Sequence, residues 1–219
     1  MGIDDTTPPL HLRHRQAIVL MSESYGRIMK RIIATSIAII LLGTAAVAGG
    51  LLVPGNTGRE TQYLQVSWAY NYQDIAEISR ASDVVALVKV DGLGRSYEYE
   101  GVPFSEFKVT VLEGVYGSRT GGSLTILMTG METNTRVVEV IDDPLMQVGE
   151  EFLVFCKANT DGTYQILGGP EGRLVYASGK LNSLAVVNER VRQANPDAGI
   201  RVENADAEAV MQEVRSYAG

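Results

Sequence analysis

After residue 53 the chain has no histidine, because both of its histidines, His11 and His14, come earlier. It has one cysteine, Cys156. These two shortages exclude much chemistry. Ser-His-Asp and Cys-His nucleophiles need an imidazole base beside them. Zinc sites of the common kind are built on His and Cys ligands. A lone cysteine closes no internal disulfide, and a disulfide-free exported domain of this size suits a bacterial envelope better than a small stapled secreted module.

Basic charge is also scarce there. Residues 54–219 carry 14 Lys and Arg against 23 Asp and Glu, a net charge of −9. An acidic domain repels phosphate polymers, so nucleic acid is not an expected partner.

What is present first is one long apolar run. Ile32–Val53, IIATSIAIILLGTAAVAGGLLV, contains no charged residue. As a helix it is roughly 33 Å long, against about 30 Å for a bilayer core. Arg13, Arg15, Arg27, Lys30 and Arg31 precede it, which keeps the N-terminus in the cytoplasm and sends the C-terminal part across. A second reading stands beside the single-pass anchor. Met29-Lys30-Arg31 followed by an apolar core and Ala46-Val47-Ala48 fits a secretory signal cleaved after Ala48, with Met21 or Met29 as alternative starts to Met1. Both readings put the remainder outside the cytoplasm, anchored in the cell membrane or secreted.

Residues 1–31 read as a cytoplasmic tail or misassigned leader, 32–53 as the membrane or signal helix, and 54–71 as linker and lead-in. Pro54-Gly55-Asn56-Thr57-Gly58 is turn chemistry. Leu64, Val66, Trp68 and Tyr70 alternate like an extended segment. Ile75, Ile78 and Ala81 predict a short helix ending near Ser82. Val84–Val90 is an almost wholly apolar strand, buried on both faces or central in a curved sheet, broken by Gly92 and Gly94. Tyr97 and Tyr99 fall on a hairpin extension. Further strands are expected around Phe107–Val111, Leu124–Met128, Val138–Val140, Phe152–Cys156, Tyr164–Leu167 and Leu174–Tyr176, with Asp161-Gly162 as a hairpin turn. Leu184, Val187, Val191 and Ala194 share one helical face, and a last helix carries Ala207, Val210, Met211 and Val214, with Asn204 or Asp206 as its N-cap. The fold class is mainly β: a small barrel over 72–180, with a short helix before it and C-terminal helices over 181–219.

Four segments carry a family resemblance. They are Ser82-Asp83-Val84-Val85 with Val88-Lys89-Val90; Phe107-x-Val109-x-x-Leu112-x-Gly114; Val148-Gly149-Glu150-Glu151-Phe152-Leu153-Val154-Phe155; and Gly168-Gly169-Pro170-Glu171-Gly172-Arg173. Together they resemble the OB-like barrel of exported bacterial proteins that are similar in shape to tissue inhibitors of metalloproteinases and netrin modules. The resemblance implies the barrel. It does not carry inhibition across, since those inhibitors cap a catalytic zinc with a free N-terminal cysteine and hold the inhibitory edge with disulfides.

The candidate ligand-binding residues are aromatic: Trp68 and Tyr70 before the barrel, Tyr97 and Tyr99 on the wing. Barrels of this class bind oligomers on loops and aromatic platforms, and rings stack on uncharged sugars. The competing reading is that these rings close the barrel or lie singly on its surface. Asp142-Asp143 and Glu150-Glu151 flank one loop. They lack the spacing of a calcium loop and are ordinary turn residues. Arg173 is expected to pair with Glu171 or a sheet carboxylate. No catalytic residue, metal site or cofactor is expected. The sequence reads as a non-enzymatic envelope module that binds a cell-wall glycan or an envelope protein. The alternatives are a carboxylate-based glycan hydrolase and an inhibitor of an extracellular protease.

Overall fold

Val84–Val90 is apolar at almost every position because its two faces belong to two different cores. In the computed structural model, which describes residues 59–217, Val84, Ala86, Val88 and Val90 point inward. They meet Phe107, Val109, Ile126, Val154 and Cys156 inside a barrel. Val85 and Leu87 point outward and meet Leu153, Phe155, Leu174 and Leu181 under helices. Side chains alternate along a strand, so one strand can serve both cores only if its buried positions on each face are apolar.

The barrel is closed by five strands. They are β2 (Val84–Tyr99), β3 (Val102–Tyr116), β4 (Ser123–Glu132), β6 (Glu151–Ala158) and β7 (Tyr164–Ile166). The order runs β4-β3-β2-β6 through antiparallel pairs. β7 completes the circle, antiparallel to β6 and parallel to β4. This closed mixed barrel is compatible with an OB-like barrel. β1 (Glu60–Leu64) and β5 (Arg136–Val140) extend the sheet from β4. β8 (Arg173–Ala177), β9 (Lys180–Ser183) and β10 (Ala205–Asp206) extend it from β6.

The outer core is covered by α1 (Ile75–Ala81) and α4 (Ala207–Tyr217). The Asp74 carboxylate caps α1 by accepting from Glu77 N at 2.7 Å, which satisfies an amide the helix leaves unpaired. Ile78, Met211 and Val214 then fill the outer core from these two helices. Ile78 has no exposed surface, so truncating it to alanine is expected to cost about 2–5 kcal/mol. Asp206 rather than Asn204 caps α4, accepting from Ala209 N at 3.1 Å.

Two expectations are corrected. Gly92 and Gly94 do not end the strand. β2 runs through them to Tyr99, with register shifts against β3 between Val90 and Gly92 and between Leu93 and Ser96. The glycines mark bulges, which bend the strand as barrel closure requires. The helical face from Leu184 to Ala194 is also interrupted. Asn188 is extended, at φ −127° and ψ 110°, and separates α2 (Leu184–Val187) from α3 (Glu189–Ala194). Its side chain accepts from Arg190 N and Val191 N, so it caps the second helix instead of continuing the first.

The apolar run Ile32–Val53 lies outside the described residues, and with it the anchor, signal and start-site readings. Among the described residues no helix is long and apolar enough to cross a membrane.

Candidate functional site

The loop between β5 and β6, residues 141–150, folds back over one end of the barrel. Leu145 and Met146 drop into the inner core and pin it there. Between this loop, the start of β8 and α2 lies a cleft of about 340 Å³. Leu145, Phe152, Val175, Leu184 and Val187 form its apolar walls, while Glu139, Gln147, Glu150, Arg173 and Asn188 supply polar groups. Leu145 and Phe152 belong to both the cleft wall and the inner core, so the barrel core backs the site.

Arg173 is the most enclosed charge in the described chain, with 1% of its side chain exposed. It opens β8, directly after the 3-10 turn Gly169–Gly172. Its Nη2 donates to Asp143 Oδ1 at 2.7 Å and to the Pro144 carbonyl at 2.7 Å. The guanidinium carbon stands 5.0 Å from the Phe152 ring centroid. The Nε has no hydrogen-bond partner. The expected partner Glu171 is engaged elsewhere: its two oxygens accept from Tyr72 N and Gly199 N, each at 2.9 Å.

The carboxylates around the cleft have separate tasks. Burial pushes Asp143 up from 3.8 to about 6, and the pull of Arg173 opposes this. Asp143 is therefore ionised and paired at neutral pH. Burial also raises Asp142, against a bond from Trp68 Nε1 to its Oδ2 at 3.0 Å. Glu139 accepts from Leu145 N at 3.2 Å and pairs with Arg190 at 2.8 Å. Arg190 also donates to the Tyr63 hydroxyl at 2.8 Å and lies over that ring, which ties α3 to β1 and β5. Glu151 pairs with Lys89 at 3.4 Å. Glu150 accepts from Gln147 N at 2.7 Å and has no cationic partner among the described residues.

The four aromatic candidates form two groups. Trp68 sits over Gly169, where a Cβ would lie 2.3 Å from its ring, and its N–H is spent on Asp142. Tyr70 is 71% exposed and tilts against buried Tyr72 at 6.4 Å. Tyr97 is half-buried on the wing, beside Phe104 and under Arg95. Tyr99 is 57% exposed at the wing's end. Among the described residues no aromatic pair joins the two groups. Cys156 faces the inner core, and burial pushes its thiol up to about 12, so it is a packed apolar side chain rather than a nucleophile. Among the described residues no cluster of His, Cys, Asp and Glu is arranged to hold a metal.

Reasoning from sequence missed the cleft. Its lining comes from five separated segments, and the one local signal was an arginine standing at the head of the apolar run Leu174-Val175-Tyr176. No protein-family model, curated protein or solved structure matches the chain.

Proposed function

We propose that this chain is an envelope protein whose exported OB-like barrel binds a ligand without transforming it. The observation that carries the reading is the cleft. It is concave, backed by the barrel core, and lined by apolar groups together with amides and charges, as binding sites generally are. Two of the carboxylates in and beside it are already engaged. Both Glu139 oxygens are occupied, and Asp143 is held by Arg173. The apolar run Ile32–Val53 and its basic flank support export, as an anchor or a cleaved signal.

The ligand classes that fit an exported acidic domain are a cell-wall glycan or another envelope protein. The exposed ring of Tyr99, with Tyr97 beside it on the wing, offers a second surface on which sugars stack, and exposed Tyr70 lies apart from it before the barrel. The closed five-strand barrel is compatible with the resemblance to inhibitor-type and netrin-type barrels. Protease inhibition is disfavoured, since the single cysteine is inside β6.

One observation favours a hydrolase as the second reading: Glu139 and Glu150 line the same cleft, as the acid and base of a glycoside hydrolase would. Incubation of the full chain with isolated wall material separates the two readings. Retention on the wall with no soluble fragments supports binding. Fragment release that Glu150→Gln abolishes overturns it.

A further inference from the structure

Residues 65–71 run from β1 toward α1 without regular structure, and Gln65, Ser67, Ala69, Tyr70 and Asn71 among them are exposed. Both ends of the stretch are tied. The Leu64 carbonyl accepts from Ile141 N at 2.9 Å, and Tyr72 N donates to Glu171 at 2.9 Å. Between those ties no backbone–backbone hydrogen bond is made among the described residues. One side-chain bond holds the stretch, from Trp68 Nε1 to Asp142 Oδ2 at 3.0 Å, with the indole seated on Gly169. A segment with exposed backbone and so few ties is the kind that opens locally while the core stays folded.

The carboxylate that receives the indole is the one left without a cation. Asp143 takes Arg173 at 2.7 Å, and Glu139 takes Arg190 at 2.8 Å. Asp142 has no such partner among the described residues. It is 8% exposed, its Oδ2 meets only the neutral indole N–H, and its Oδ1 is buried without a hydrogen bond. The charge of neighbouring Asp143 repels it. Enclosure of this kind disfavours the ionised form. Burial raises the Asp142 carboxyl above its usual 3.8, and the Trp68 bond opposes the rise without cancelling it.

Lifting the indole lets water reach Oδ2, and a hydrated carboxyl ionises more readily. We propose that residues 65–71 form a proton-linked latch, in which Trp68 closes over a neutral Asp142 carboxyl and ionisation of that carboxyl loosens the strap. Closing takes up a proton. The contribution of Asp142 to closure is full below the hydrated value of 3.8 and is lost as pH rises through the higher, strapped value. Acid therefore tightens the lead-in onto the barrel, and rising pH releases it. The latch does not depend on what the cleft binds.

The test follows hydrogen exchange of the Trp68 indole N–H in the full chain, purified in mild detergent, from about pH 4 to about pH 8. Rates are corrected for the intrinsic exchange of a free indole and compared with barrel amides, which report global opening. Protection is expected to fall with rising pH, by about tenfold for each pH unit that separates the strapped and displaced midpoints of Asp142. Carbon-detected NMR of the Asp142 carboxyl gives both midpoints, the strapped one in wild type and the displaced one in Gly169→Ala, where the indole loses its seat. The second should be the lower. Asp142→Asn should hold the protection level across the range. Protection that follows the barrel amides at every pH, a slope that survives Asp142→Asn, or equal Asp142 midpoints in wild type and Gly169→Ala would each overturn the latch. The midpoint comparison needs no Asp142 variant, so it decides the matter even if Asp142→Asn fails to fold.

Discussion

Asp143 and Arg173 form an ion pair with almost no access to water: the Nη2–Oδ1 distance is 2.7 Å and the side chains are 8% and 1% exposed. Such a pair contributes little net stability, because desolvation offsets the attraction, yet losing one partner strands the other. Asp143→Ala is expected to destabilise the domain by about 3–5 kcal/mol. Joining Arg173→Met to it should recover much of that loss. Urea unfolding of the two single variants and the double variant checks this, and simple additivity would contradict it.

Burial of Asp143, opposed by the pull of Arg173, sets a pH dependence. Asp143 has a folded value of about 6 against 3.8 in an unfolded chain. The folded state therefore holds this proton more tightly. Its contribution to stability is largest below about pH 4, declines as pH rises to about 6, and is flat above that. A shift of this size corresponds to a decline on the order of 3 kcal/mol. Asp143→Asn should remove this slope from the stability profile, and carbon-detected NMR of the Asp143 carboxyl should show a midpoint near 6.

Glu171 is a clamp between distant parts of the chain. Its carboxylate accepts from Tyr72 N in the lead-in and from Gly199 N after α3, each at 2.9 Å. Glu171→Ala would leave these amides without acceptors in an enclosed region, at about 1–3 kcal/mol for each one that stays buried. Amide exchange at Tyr72 and Gly199 should accelerate more than exchange in the barrel strands. Uniform acceleration would contradict the clamp.

Gly169 has φ +56°, and a Cβ there would lie 2.3 Å from the Trp68 ring. Gly169→Ala should push the indole away and break its bond to Asp142. Trp68 is the chain's single tryptophan, so its emission reports the displacement directly. A shift toward the emission of exposed indole is expected, matched by a loss of stability. Unchanged emission would contradict the contact between the indole and Gly169.

Much of the fold was legible because it rests on local pattern. The doubly apolar run Val84–Val90, the turn at Asp161-Gly162 and the cap at Asp206 each carry their signal within a few residues. Gly92 and Gly94 misled because a bulge and a strand end use the same residue for the same reason, backbone freedom. Asn188 misled because the apolar face of Leu184, Val187 and Val191 continues across a residue whose side chain competes for backbone amides. The site was far less legible. Asp143 and Arg173 are 30 residues apart, and Tyr72 and Glu171 are 99 apart. Chain closure brings them together, and nothing in either residue's neighbours specifies the other.

The most direct measurement is co-sedimentation of the full chain with isolated envelope material, comparing wild type, Val187→Trp and Tyr97→Ala/Tyr99→Ala. Retention of wild type, lost when Val187→Trp fills the cleft and kept when the wing loses its rings, is the predicted result. Retention that survives Val187→Trp but fails in the wing variant would contradict it and move the binding surface to Tyr97 and Tyr99.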